Sequence, residues 1–209
     1  MLLRMVASAE IEKVTETIFV WHVYDPAVKA ELFSTNFRTS STSYIIDPIP
    51  LRPDAWETLP RDQKAAAIVV TNANHARASV KFARSLSAPV YVHQALLGSP
   101  EFPGAIGIPE SGAFSDGVTT VPIAGAPSGE IALHLADEGG TLVVGDALIN
   151  FGPSGFDFLP AKYCSDQKQI RQSLRKLLDF SFERLFFAHG TPILSRPRAQ
   201  LEQLFTKSR

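Results

Sequence analysis

Between Ala66 and Gln94 the chain reads AAIVVTNANHARASVKFARSLSAPVYVHQ. An apolar run passes directly into a polar loop, then into a short stretch with helical character and a second apolar run. Continuous Ala/Ile/Val of this length reads as a strand buried on both faces. The expectation is a βαβ unit: strand Ala66–Thr71, loop Asn72–Arg77, helix Ala78–Leu86 and strand Pro89–His93. The rim at the carboxyl ends of strands is where sites are built in α/β folds. The loop TNANHAR places Asn72, Asn74, His75 and Arg77 on that rim.

Flanking segments extend the pattern. Thr15–Val23 (TETIFVWHV) alternates as a strand does, with Asp25-Pro26 as the turn after it; Ser41–Asp47 (STSYIID) is a second strand, ended by Pro48 and Pro50. Arg52–Leu59 reads as a short helix. Gly98–Asp116, rich in Gly, Pro and Ser, reads as an irregular excursion or a loop over the rim. Three short strands follow, Thr119–Ile123, Glu130–Ala136 and Thr141–Gly145, with Gly139-Gly140 as a tight turn between the last two. Asp166–Phe180 carries Ile170, Leu174, Leu177 and Leu178 at helical spacing behind a capping-box-like Asp166/Gln169. A strand over Arg184–Ala188 and a helix over Pro197–Lys207 close the chain.

Composition excludes several classes. A chain of 209 residues supports one substantial core, read as a single domain over 1–209. A net charge of −1 with scattered basic residues argues against nucleic-acid binding, which needs a clustered positive surface. The apolar stretch in MLLRMVASAE is too short for a signal segment, and no run reaches membrane-spanning length; the expectation is a cytoplasmic protein without membrane contact. The single cysteine, Cys164, excludes an intrachain disulfide and multi-cysteine metal sites. Oligomeric state is not legible.

The motifs in this order resemble the metallo-β-lactamase superfamily, whose signature at the first loop is Thr-His-x-His-x-Asp-His. Aligned on Thr71, this chain has Asn72 and Asn74 at the first two His positions, Ala76 at the Asp position and Arg77 at the third His position. The superfamily's next His falls on Ala126, within AGAPSG. Val144-Gly145-Asp146 matches the strand end whose carboxylate bridges two metals, and Ala188-His189-Gly190 matches the turn carrying the last His. Asp47 matches a position that supports the site loop. The resemblance implies an α+β fold, a four-layer αββα sandwich of mixed sheets with outer helices. Of seven inherited ligands it leaves two, Asp146 and His189.

On that count the expectation is no catalytic metal, although a weak single ion at Asp146 and His189 stays open, because transition metals need several N, S or O donors. A buried Asp146 without a cation needs another partner, and Arg77 at the third-His position predicts an Arg77–Asp146 ion pair. His75 falls in a non-ligand slot and is expected to point elsewhere. Asn72 and Asn74 cap the following helix or bind ligand. His189 and Asp146 either hold loops together or act as an acid/base pair. Tyr163 and Cys164 lie where relatives place substrate-contacting residues; Cys164 is a buried small hydrophobe or a nucleophile. His22 and His134 are read as structural.

Three functional readings follow: a metal-free protein binding a small, possibly anionic ligand through Asn72, Asn74, His75, Arg77 and Tyr163; a hydrolase working through a reduced metal site or a His189/Asp146 pair; and a scaffold with an assembly role.

Overall fold

The computed structural model describes residues 6–60, 65–109, 111–115 and 117–207. Met1–Met5, within the stretch weighed as a signal segment, lie outside the described residues, as do the extreme ends of the 1–209 domain.

Two sheets form the centre. The first has seven strands in sequence order: β1 (Glu12–Lys13), β2 (Ile18–Asp25), β3 (Ala30–Arg38), β4 (Thr42–Ile46), β5 (Ala65–Val69), β6 (Val90–His93) and β7 (Ile106–Ile108). It is antiparallel from β1 to β4 and parallel from β4 to β7. The second sheet uses β8 (Gly112–Ser115), β9 (Val118–Pro122), β10 (Ile131–Leu135), β11 (Thr141–Val144) and β14 (Arg184–Phe187), in the order β14-β11-β10-β9-β8. Only β11 and β14 run parallel in it. A small hairpin, β12 (Leu148–Asn150) with β13 (Phe156–Phe158), stands apart. The helices are α1 (Pro53–Glu57), α2 (Ser79–Leu86), α3 (Gln167–Leu174) and α4 (Pro197–Lys207).

Alternation along the strands sorts side chains into three apolar layers. Tyr44 and Ile46 of β4, Ala67 and Val69 of β5, Leu133 of β10, Val143 of β11 and Phe186 of β14 meet between the sheets. Their neighbours point outward. Ile45 and Ile68 join Ala55 of α1 and Phe82 of α2; Leu142, Val144, Leu185 and Phe187 join Ile170 and Leu174 of α3 and Leu201 and Phe205 of α4. Three cores between four layers make the αββα sandwich that the sequence led us to expect.

Four local readings change. β3 went unrecognised because its centre, Ser34-Thr35-Asn36, is polar yet buried. Its neighbours satisfy those groups: Ser34 Oγ donates to Asp47 O at 2.7 Å, and Asn36 Nδ2 to Ser43 Oγ at 2.6 Å. The 98–116 excursion is less irregular than its composition suggests, because it supplies β7 and β8, one edge strand for each sheet. The turn between β10 and β11 is longer than a Gly-Gly pair and includes a 3₁₀ turn over Asp137–Gly139. The 166–180 helix is α3 followed by a 3₁₀ stretch, Arg175–Asp179, that turns Leu177 into the core. Its predicted cap is present, with Asp166 Oδ1 accepting from Lys168 N and Gln169 N at 2.8 and 3.1 Å.

The topology fixes where a site can form. The parallel pairs β4/β5 and β11/β14 direct their carboxyl ends to Asp47, Thr71, Asp146 and His189, and hydrogen bonds join these groups across the two sheets.

Candidate functional site

The site begins at Asp47, directly after β4, in a left-handed backbone conformation (φ 49°) that is uncommon without glycine. Its carboxylate accepts the Thr71 N–H on Oδ1 at 2.8 Å and the Thr71 hydroxyl on Oδ2 at 2.6 Å. His75 Nδ1 lies 2.9 Å from the same Oδ2 and 2.9 Å from Thr71 Oγ1. Because the Thr71 proton is committed to Asp47, Nδ1 carries a proton and donates. The other ring nitrogen, Nε2, reaches Asp146 Oδ1 at 3.1 Å. Asp47 and His75 are each only 2% exposed.

Asp146 is the hub. Oδ1 faces both His75 Nε2 and His189 Nε2, each at 3.1 Å, and Oδ2 accepts from Asn74 Nδ2 at 3.1 Å. The two imidazoles lie 5.5 Å apart, centroid to centroid. Gly145 must lack a side chain here: a Cβ would lie 2.6 Å from Thr71 Oγ1 and 2.8 Å from Glu130 Oε1. Gly190, after His189, sits at φ 92°, and a Cβ there would strike the Asn150 carbonyl.

The sequence-predicted residues separate. His75, Asn74, Asp146 and His189 come together. Asn72 is buried beneath them; its Oδ1 accepts from Asn74 N at 2.8 Å and its Nδ2 donates to Glu130 Oε2 at 2.6 Å. The expected Arg77–Asp146 ion pair is not made. Arg77 adopts φ 36°, and its guanidinium turns to backbone carbonyls: Nη1 donates to Phe33 O at 2.8 Å and Asp47 O at 3.1 Å, Nη2 to Ala188 O at 3.3 Å. His75, expected to point away, fills the place beside Asp146 instead. The 3₁₀ turn Ala73–His75, capped by Asn72, swings its ring inward.

Tyr163 stands outside the cluster, 59% exposed, with Lys162 Nζ 4.5 Å above its ring. Cys164 and Ala126 pack against the apolar layer under α3. His22, read as structural, lies 3.2 Å from Glu31 and 3.3 Å from Glu12; His134 reaches Ser181 O at 2.9 Å. Glu130 was overlooked. It is buried, and its Oε1 accepts the Ala147 N–H at 2.9 Å. The available signal was a carboxylate opening an otherwise apolar strand, GEIALHL.

The metallo-beta-lactamase superfamily model matches residues 13–207. The chain belongs to that superfamily. Solved structures agree on the fold at low identity. DIM-1 metallo-beta-lactamase superposes with a TM-score of 0.73 at 13% identity, covering 99% of this chain and 100% of that one. A metallo-beta-lactamase from Pontibacter korlensis gives 0.71 at 13%, covering 94% and 98%. FIM-1 from Pseudomonas aeruginosa, in its mono-zinc form, gives 0.70 at 13%, covering 98% and 97%. No curated protein matches the sequence.

A superfamily member invites a test of its donors. Among the described residues, His75, Asp146 and His189 form a group whose ligand atoms all lie within 4.8 Å of one another. His75 also has the outer anchor that a metal-binding imidazole normally has, a carboxylate on its second nitrogen. His189 lacks that anchor; its Nδ1 is buried without a hydrogen-bond partner among the described residues. The set fits one ion and does not fit two. Asn72 has both amide atoms engaged, Ala76 and Ala126 offer no donor, and Arg77 adds a positive charge.

Electrostatics divides the cluster. Burial and the Arg77 charge oppose a charged His75, yet Asp47 and Asp146 outweigh them and raise its pKa from 6.5 to about 9. His189 moves down, through burial first and then the charges of Arg77 and His75, despite Asp146. Burial alone would raise Asp146, but the two imidazoles hold it well below the usual carboxylate range. Glu130, pushed by burial and by the Asp146 charge, rises to about 8. Among the described residues no helix is long and apolar enough to cross a membrane.

Proposed function

We propose that the chain is a hydrolase of the metallo-β-lactamase superfamily whose centre is reduced to one divalent cation, held by His75, Asp146 and His189. The observation that supports this is the meeting of His75 Nε2 and His189 Nε2 at one Asp146 oxygen, with His75 Nδ1 secured by Asp47. A cation bound there would supply Lewis-acid polarisation of a substrate oxygen or of water. The chain's own residues do the positioning. Asp47 fixes the tautomer of His75, Asn74 holds Asp146 Oδ2 so that Oδ1 faces both imidazoles, and Arg77 ties down the Ala188 carbonyl next to His189. His189, 15% exposed, is the open side of the centre and the side on which a substrate would arrive.

A second reading, an ion-free protein binding a small ligand in the same cleft, has its own support. The carboxylates of Asp47 and Asp146 are matched by Arg77 and a protonated His75, with Glu130 neutral below its raised pKa. Because Arg77 is occupied by three carbonyls, that ligand would meet His189 and the rim rather than a free guanidinium.

Elemental analysis of protein purified without chelator or nickel, with Zn²⁺, Mn²⁺ and Fe²⁺ added separately, decides between them. The hydrolase reading expects about one ion per chain, lost in His75→Ala, Asp146→Ala and His189→Ala and kept in Tyr163→Ala. Metal far below one per chain in every condition overturns it and favours the ion-free reading. Small carboxylates and inorganic phosphate would then be screened by thermal shift.

A further inference from the structure

Glu130 has no role in the donor set, yet it is buried and aimed at the loop beside it. Backbone bonds already join its segment to the loop after β5, Ile131 N to Thr71 O at 2.8 Å and Ala73 N to Ser128 O at 2.9 Å. The carboxylate is therefore not needed to hold those segments together. It does something more specific.

From Glu130 Oε2 a chain of hydrogen bonds runs to Asn72 Nδ2 (2.6 Å), from Asn72 Oδ1 to the Asn74 N–H (2.8 Å), and from Asn74 Nδ2 to Asp146 Oδ2 (3.1 Å). From Glu130 Oε1 a second path runs to the N–H of Ala147, the residue after Asp146, at 2.9 Å. The two paths meet on Asp146 and close a ring. One holds its side chain and the other its backbone. The absent Cβ of Gly145 lets the Glu130 carboxylate approach this closely.

We propose that Glu130 is a positioning residue: through the ring Glu130–Asn72–Asn74–Asp146 it sets the orientation of the Asp146 carboxylate toward His75 and His189. The two asparagines stand where the superfamily signature has its first two histidines, and here they transmit position rather than ligate. The inference does not require a bound ion. It holds for the ion-free protein as well.

The directions of the hydrogen bonds supply the test. Above its pKa of about 8 Glu130 is ionised and in the ring only accepts, and Asn72 donates to it while accepting from Asn74. In Glu130→Gln the new amide NH₂ meets the Asn72 NH₂, donor against donor. If Asn72 turns over to relieve this, the Asn74 N–H loses its acceptor. Adding Asn72→Asp restores an acceptor toward both neighbours. Asn72→Asp alone sets two carboxylates against each other.

The readout is the ring ¹H–¹⁵N NMR signals of His75 and His189 in chelator-treated protein above the Glu130 pKa of about 8, since both imidazoles contact Asp146. We expect displaced signals in Glu130→Gln and in Asn72→Asp, and wild-type positions in the double variant. Where a single variant does not fold, the double variant still decides. Wild-type signals in it support the ring; displaced signals, or failure to fold, overturn it. Unchanged signals in a folded Glu130→Gln also overturn it. A merely structural Glu130 would lower the melting temperature without the paired return of both histidine signals. The result does not depend on metal content, so it stands apart from the outcome of the elemental analysis.

Discussion

His75 and His189 lean on the same oxygen of Asp146 at the same distance, 3.1 Å, yet they are driven in opposite directions. His75 sits between two carboxylates and is pushed toward the charged form. His189 has one carboxylate, a largely buried ring and two positive neighbours, and is pushed toward the neutral form. Residue type and a shared partner do not set protonation. The second partner does: Asp47 for His75, and no protein group among the described residues for His189 Nδ1. One half of the centre is a fixed post and the other is its open face.

This difference can be broken by mutation. Removing the fixed post should cost most. In chelator-treated protein His75→Ala leaves Asp47 and Asp146 without their buried cation, and breaking a buried pair in this way costs about 3–5 kcal/mol, read by chemical denaturation. His189→Ala removes one hydrogen bond from a charged group at a partly open position and should cost about 1.5–3 kcal/mol. Equal costs would mean that the two histidines are not distinguished by their second partners.

Arg77→Met sharpens the comparison from the other side, because it leaves the carbonyls of Phe33, Asp47 and Ala188 without their donor. A loss on the order of 2 kcal/mol is expected. With a positive neighbour gone, the His189 pKa should rise toward its ordinary value in an NMR titration.

Glu130 provides a pH handle. Its folded pKa, about 8, exceeds its ordinary 4.5, so the folded chain binds this proton more tightly than the unfolded chain. The associated stability is complete below about pH 4.5 and is lost as pH rises through about 8. Denaturation midpoints of the ion-free protein should therefore fall across that window, and Glu130→Gln should flatten this part of the profile. The smallest effect belongs to Tyr163→Ala, exposed and outside the cluster: within about 0.5 kcal/mol. It should also leave the metal content unchanged.

Much of the fold was legible because it rests on local pattern. The apolar runs of β5 and β11 announce strands covered on both faces, and Asp166 with Gln169 announces the start of α3. β3 was hidden because buried Ser34, Thr35 and Asn36 mimic a solvated stretch; their partners lie on other strands. At the site, Asp146 and His189 were visible as strand-end motifs. The role of Arg77 was misjudged on charge alone, since a carboxylate and a guanidinium in one region need not meet when backbone carbonyls are closer to hand.

Residue order along the chain set most strands and helices and the strand-end motifs at Asp146 and His189, and the resemblance carried by those motifs implied the four layers. The strands and helices follow from apolar period and segment length, both local properties. Which side chains share Asp146 depended on the inward turn of Ala73–His75, the left-handed backbone at Asp47 and Arg77, and the bare Cβ position of Gly145. Glu130 reaches Asn72 across 58 positions and His75 reaches Asp146 across 71. Contacts at such separation depend on how the two sheets pack, and no local pattern records that packing.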